Sequence, residues 1–411
     1  MSNSRISRRS LLTTTGSVVA GAIIAGCADI REEDPTDESE QRSPTGRESD
    51  SGDHTTGWGR TTGSSDSEQR DDSFDDESSV DDGPTTRRPQ LGHLHGMTGQ
   101  TGPPDTAGVY ERTYEWDALG SIWTFEATIQ KSLVEYYKSR PRPWRTSANP
   151  HWGSFVSDPY DDSRINAIAT EFENAGATAG LSDREVVDLS MKFVQQLEYT
   201  SDSVSTGYSQ YARYPLETLV DRGGDCVDTS VLLSAILRKM GYGCILLALW
   251  DAEHMAVGVK GDPSIAGTYY EYNDARYYYA ETTGYGWSIG EMPESITETS
   301  AEIQDLHSNP IFVHRWQTSM TDSGELDVST TVRNVGPVSA QNTRIRVAFE
   351  DQLGIVQTAD TSHIPTVFPE TEETVRMSFQ PPDDRTLRVN TEIAIGSDVY
   401  DMDESEWREP V

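Results

Sequence analysis

The stretch DRGGDCVDTSVLLSAILRKMGY, residues 221–242, constrains the chain more than any other. Its apolar residues, Val227, Val231, Leu232, Leu233, Ala235, Ile236, Leu237 and Met240, fall on nearly every side of a helical wheel. A helix of that kind has to be covered all round, so it must run through a fold rather than lie on its surface. Asp225 is placed to cap it, with Asp228 three residues later, and Arg238, Lys239 and Gly241 are stop signals. Cys226 then occupies the first helical position. Unpaired amides and the positive end of the helix dipole favour thiolate there. The two aspartates oppose it, so a held charge needs a histidine partner.

Helix geometry says which residues can approach that cysteine. A helix over 226–240 is roughly 22 Å long, and Cys244 lies beyond its far end. A disulfide needs α-carbons within about 7 Å, so the two cysteines cannot pair and both are expected as free thiols. Cys244 suits a buried apolar position. A strand over 243–250 returns roughly 23 Å, level with the helix start. The turn Asp251-Ala252-Glu253 follows, and His254 opens the next strand, 254–260, beside Cys226. Ala256 and Gly258 on that strand leave room for a ring or a substrate. Further strands are expected at about 268–273 and 276–282.

Three segments, GGDCVDTSVLLSAILRKMGY, EHMAVGV and YYYAETTGYGW, together resemble the transglutaminase-like cysteine superfamily, whose core is papain-like. The likeness covers about 109–295 and is sharp over about 214–293. It implies a nucleophile at Cys226, a histidine at His254 and a third member at Glu281, where the family usually has Asp. A glutamate is one methylene longer but can still accept from imidazole Nδ1–H. Asp274 and Asn273, at a strand end, remain alternatives for the third place. The Cys226 backbone amide is one natural oxyanion donor, with Gln195 and Gln196 as weak candidates for a second. Tyr208, Tyr211, Tyr214 and Trp287 either line the cleft or pack.

The rest of the 411 residues frames this segment. Arg8 and Arg9 ahead of Leu11 and Leu12 resemble a twin-arginine export signal, and Ile24-Ala25-Gly26-Cys27 resembles a lipobox with Cys27 as the lipidated residue. Residues 28–107, rich in Asp, Glu, Ser, Thr and Gly, bury too little apolar surface to offset their ordering entropy and read as a disordered acidic linker. His93 and His95 within it are read as solvated linker. Helices are expected at about 127–140, 163–176 and 183–198, the last opened by a Ser182/Glu185 capping box. Helices followed by strands make 108–310 an α+β domain, a papain-like or transglutaminase-like core with an antiparallel sheet. From Leu326 the pattern turns to period two, in Leu326/Val328/Thr330/Val332, Ile345/Val347/Phe349 and Val375/Met377/Phe379. Residues 311–411 therefore read as a small all-β immunoglobulin-like sandwich.

These features point to an exported, lipid-anchored thiol enzyme on the outer face of the cell membrane. Its substrate would be a peptide or protein. The alternative is a surface binding protein that keeps the arrangement without activity. No nucleotide-binding glycine loop or cysteine-rich metal motif is present, and no cofactor is expected. The formal net charge of −35, with only five lysines among 33 basic residues, disfavours nucleic acid as a partner. It suits a halophile's surface. Self-repulsion should weaken as salt screens it, so the unfolding midpoint is expected to rise from dilute buffer to molar salt. A flat midpoint in thermal melts across that range would remove the halophile reading.

Overall fold

The computed structural model describes residues 108–142, 149–208, 210–320, 326–380, 386–405 and 407, with the backbone of short strands at Arg5–Ile6 and Gln90–Leu94. The expected export signal, the lipobox at Cys27 and nearly all of the acidic linker lie outside the described residues. The strand Gln90–Leu94, running parallel to Ser121–Gln130, is not what an unstructured linker predicts.

A hairpin comes first, and its last four residues lie where a helix was expected to begin. β1 (Val109–Ala118) and β2 (Ser121–Gln130) pair antiparallel through a two-residue turn. Leu119 and Gly120 both have positive φ there, 52° and 73°, the twist that a tight hairpin requires. Alternate residues, Tyr114 and Trp116 on β1 and Trp123, Phe125, Ala127 and Ile129 on β2, face inward. α1 (Lys131–Ser139) begins only after this alternation ends. The expected helix from 127 misread its first four residues, whose period is two and not 3.6.

Helices α2 (Asp162–Ala179) and α3 (Asp183–Gln195) lie close to their expected places. The Ser182/Glu185 capping box is formed in both directions. Phe172 of α2 and Phe193 of α3 meet the hairpin in an aromatic layer, with Phe193 edge-on to Tyr114 and to Trp116, each at 5.2 Å. Such pairs add about 0.5–1.5 kcal/mol beyond area burial. α4 (Pro215–Asp221) leads into α5 (Cys226–Lys239). Every residue of α5 from Cys226 to Leu237 is buried. It touches α2, α3 and α4 on one side and the sheet on the other.

That sheet holds β3 (Cys244–Leu249), β4 (His254–Gly261), β5 (Tyr269–Tyr272), β6 (Ala275–Ala280) and β7 (Ala301–Asp305). The order is β7-β3-β4-β6-β5, antiparallel throughout. All six residues of β3 are buried, as an interior strand covered on both faces requires.

The remainder is two facing sheets. One is β8 (Phe312–Met320), β9 (Leu326–Asn334) and β12 (Glu372–Phe379). The other contains β10 (Ala340–Asp351), β11 (Val356–Val367), β13 (Leu387–Ile395) and β14 (Asp398–Glu404), ordered β11-β10-β13-β14. Val328, Val332, Val347, Phe349, Met377, Phe379 and Ile393 form their shared core. The two-residue strand Asn149–Pro150 adds in parallel beyond β14. A segment from the first half of the chain thus completes a sheet of the second. Arg140 reinforces the join, bonding Asp158 at 2.7 Å and Asp401 on β14 at 2.5 Å.

The expected fold class, an α+β papain-like core followed by a small immunoglobulin-like sandwich, is corrected by this architecture. Among the described residues strand exceeds helix, 42% against 27%, in several antiparallel sheets, in place of a helix-rich papain-like core. The physical reason lies partly in residues 109–130, where order was expected from about Val109 but the first regular element assigned was a helix from 127. Their β-branched and aromatic residues alternate, and they pair as a hairpin.

The Arg140 side chain is mostly buried between its two carboxylates. Arg140→Ala would leave Asp158 buried without its cation and Asp401 with His314 as its remaining basic partner. A loss of about 3–5 kcal/mol is expected, read as a lower denaturant midpoint. A midpoint unchanged from the parent would show that the join does not depend on this pair.

Candidate functional site

The site grows from the start of α5. Asp225, the N-cap residue, accepts from Val227 N at 2.8 Å and Asp228 N at 3.2 Å. Asp228 reaches back to accept from Asp225 N at 3.2 Å. The helix start is therefore satisfied on both sides, as an aspartate capping box allows. Asp228 also accepts from the guanidinium of Arg213 and, at 2.7 Å, from its backbone amide. Arg213 further bonds Asp202 and Asp221, each at 3.3 Å. Burial, aided by the charges of Asp228 and Asp202, pushes the Asp225 carboxyl well above the usual range. The two aspartates beside Cys226 therefore oppose a thiolate less than their formal charges imply: one favours its neutral form, and the other is matched by Arg213.

Cys226, Thr229 and Ser230 fall at i, i+3 and i+4, one face of the helix. Each makes a short contact. Met255 N–H points at Cys226 Sγ, 3.3 Å away. The Ser230 hydroxyl donates to Met255 O at 3.1 Å. The Thr229 hydroxyl donates to Asp225 O at 2.8 Å and meets the Thr282 hydroxyl at 2.9 Å. Helix and strand are locked together around the sulfur. β3 does return to the helix start, and the turn 250–252 with Glu253 in the left-handed region (φ 47°) delivers His254 next to Met255.

His254 and Glu281 meet in the interior, 2% and 1% exposed. The imidazole Nε2 lies 3.0 Å from Glu281 Oε2. The expected use of Nδ1 for this bond is thereby reversed. Glu281 Oε2 also accepts from the Tyr279 hydroxyl at 2.5 Å. Its Oε1 accepts from Thr282 N at 3.0 Å, Thr283 N at 2.9 Å and the Thr283 hydroxyl at 2.7 Å. Burial alone would raise this carboxyl, but His254 and the hydrogen bonds outweigh it and hold it at about 2. Glu281 is thus an anion at any working pH, aimed at the imidazole.

Asn273 and Asp274, the alternatives for that role, form the positive-φ turn between β5 and β6 (46° and 59°). Arg276, just after that turn, pairs with Gly261 at the far end of β4 from His254. They are not part of this cluster. Gln195 spends its side-chain amide on the carbonyls of Glu281, at 2.9 Å, and Trp287, at 3.1 Å. It braces the loop after β6 and is not aimed as an oxyanion donor. Among the described contacts none joins Gln196 to the cluster. Tyr214 stacks on Tyr137 at 4.4 Å, and Tyr211 bonds Glu217, so both pack. Tyr208 is exposed.

The cysteines depart from expectation in one respect. Cys244 is free and buried, and burial pushes its thiol up to about 12 despite the nearby Arg238. Cys226 is disulfide-bonded, to a partner outside the described residues. The expectation of two free thiols holds for Cys244 and fails for Cys226. Its separation from Cys244 by a helix length stands; Cys27 had been set aside as the lipidated residue. In this state Cys226 is fully buried and cannot act as a nucleophile.

Several residues of the cluster went unread in the sequence. Tyr279 sits two residues before Glu281, and Thr229 and Ser230 lie one helical turn beyond Cys226. Strand and helix periods place all three on the site's faces. Arg213 carried no such signal, because its partners lie eight to fifteen residues away on other elements.

No family model and no curated protein matches this chain. Solved structures match parts of it, among them one that covers 40% of the chain at a TM-score of 0.20. A CARDB domain from Pyrococcus furiosus is 18% identical, with a TM-score of 0.17, over 22% of this chain and 78% of its own. A β-glucuronidase of glycoside hydrolase family 2 is 14% identical, with a TM-score of 0.19, over 22% of this chain and 10% of its own. The β-glucosidase 3B of Thermotoga neapolitana is 12% identical, with a TM-score of 0.17, over 24% and 16%. Likenesses at these scores carry no argument about fold or activity, so the site rests on its own geometry.

Glu281 has a folded-state value below its ordinary 4.5. A depressed carboxyl contributes stability above its unfolded value and loses it as pH falls through the folded one. Between about 4.5 and about 2, the parent should therefore lose more stability than Glu281→Gln. Thermal midpoints against pH check this. Parallel curves for the two proteins would show that Glu281 is not held as an ion.

Proposed function

We propose that the chain, with Cys226 reduced, is a thiol enzyme of the transglutaminase-like kind that acts on amide or peptide bonds. The observation that carries this is the buried His254–Glu281 pair at 3.0 Å, on the strand whose next residue, Met255, contacts Cys226 Sγ. A base oriented by a buried carboxylate beside a helix-start cysteine is the arrangement that nucleophilic acyl transfer needs.

The chemistry balances without a cofactor. The Cys226 thiol gives its proton to His254 as the sulfur attacks the carbonyl carbon. The tetrahedral oxyanion is met by the Cys226 backbone amide at the dipole's positive end. His254 returns the proton to the leaving amine, the C–N bond breaks, and a thioester remains. Water, deprotonated by His254, then attacks the thioester. The acid leaves and the thiol is restored. Glu281 stabilises the imidazolium that forms twice in this cycle. Water is favoured over an amine as acceptor, since a chain with five lysines belongs to surroundings poor in protein-bound amines. The setting proposed is the outer face of a cell membrane, held by a lipid on Cys27; that thioether leaves Cys27 no thiol for a disulfide, so the anchored form is the one with Cys226 reduced.

A second reading, a binding protein without activity, is favoured by one observation: Cys226 is buried and oxidised. A thiol-reactive acyl probe, applied in molar salt with and without reductant, separates the two. The enzyme reading expects labelling of Cys226 only after reduction, abolished in Cys226→Ala and strongly slowed in His254→Ala. Turnover of a peptide amide should fall on the order of 10⁴-fold in either variant. If reduced Cys226 reacts no faster than a free thiol and His254→Ala changes nothing, the binding reading replaces it.

A further inference from the structure

Tyr279 is fully buried, titratable and unused in the steps above. Its ring is rooted in a fixed backbone: Tyr279 N donates to Thr268 O at 3.0 Å, and Gly290 N donates to Tyr279 O at 2.7 Å. Two residues before Glu281 on an extended chain, it shares that residue's face. Its hydroxyl donates to Glu281 Oε2, the same oxygen that faces His254. The other oxygen is held locally by Thr282 and Thr283. Among the described residues Oε2 therefore has one donor besides the imidazole, and that donor is Tyr279.

We propose that Tyr279 is a positioning residue that sets the proton affinity of His254 by sharing Glu281 Oε2 with it. The proposal rests on the reading of Cys226, His254 and Glu281 as a thiol site. A donor on a carboxylate oxygen draws charge away from its other partner. With Tyr279 in place, Glu281 orients the imidazole but stabilises its protonated form only in part, so His254 can release its proton to a leaving amine. Burial and the charge of Glu281 hold the Tyr279 phenol well above its usual range, so it stays a donor. The other titratable and charged groups on the elements packed around the pair are Tyr270 on β5, which acts on Tyr279, and Cys226, Asp225 and Asp228 at the start of α5, with Arg213 bonded to Asp228; the Gln195 amide of α3 holds the Glu281 carbonyl.

The test is Tyr279→Phe in the full, reduced chain, with imidazole-labelled histidine followed by NMR against pH. Removing the hydroxyl leaves Oε2 a stronger acceptor, so the His254 titration should move up by about half a pH unit or more. kcat on a peptide amide should fall about tenfold with KM little changed. Tyr278→Phe, which loses a bond to Asp262 O away from the site, should move neither reading. A His254 titration that stays in place or moves down in Tyr279→Phe overturns the proposal, whatever the activity does. If that variant does not fold, the parent decides: a low-field Tyr279 hydroxyl proton close to the His254 Nε2 proton is required, and its absence overturns the proposal. The titration does not depend on turnover. A parent without acyl-transfer activity would sink the enzyme reading while leaving the Tyr279–Glu281–His254 coupling to be judged by itself.

Discussion

The centre of this protein is a helix start buried among carboxylates, and it holds because a single guanidinium answers them. Asp202, Asp225 and Asp228 all crowd the first turn of α5, where water is excluded. Ionised and unpaired, they would cost far more than the helix could offset. Arg213 bonds Asp202 and Asp228 directly, and Asp225 is satisfied by the backbone amides it caps. Burial then tilts the group toward fewer charges, raising Asp202 to about 7. Residues near Cys226 take their position from this arrangement, because α5 packs against both the helices and the sheet.

Electrostatic roles are divided cleanly across the site. The carboxylates of the helix cap are drawn toward neutrality. Glu281, equally buried, is held as an anion by five donors. The difference is not depth: at Glu281 the facing His254, and then the hydrogen bonds, outweigh burial, whereas at Asp202, Asp225 and Asp228 burial prevails. A sulfur in such a place meets one committed negative charge, and that charge lies behind the histidine.

What was legible in the sequence was what periodicity and length determine. An apolar wheel implied a buried α5. Helix and strand rises then brought His254 back to the helix start, and the Met255–Cys226 contact follows. Glu281, read through a resemblance, does face His254. The hairpin at 109–130 was lost because a short alternating run ending in Ala127 and Ile129 can be threaded onto either period. The fold class went wrong with it. The imidazole nitrogen was assigned by habit to Nδ1, and only the approach of Glu281 from beyond β6 decides for Nε2. Arg213 and Arg140 were out of reach of any pattern, because an ion pair between distant elements leaves no local trace.

The strand at Asn149–Pro150 has a consequence for how such a chain can change over time. It lends a backbone edge to the β11-β10-β13-β14 sheet, His151 stacks on Tyr400 beside it, and Arg140 clasps Asp401. The C-terminal β portion is therefore no cassette to be swapped between chains at the joint near residue 310. A recombination there would strip a sheet of its outermost strand and leave a buried acid without its arginine. A nick at the same joint would leave two fragments that still grip one another.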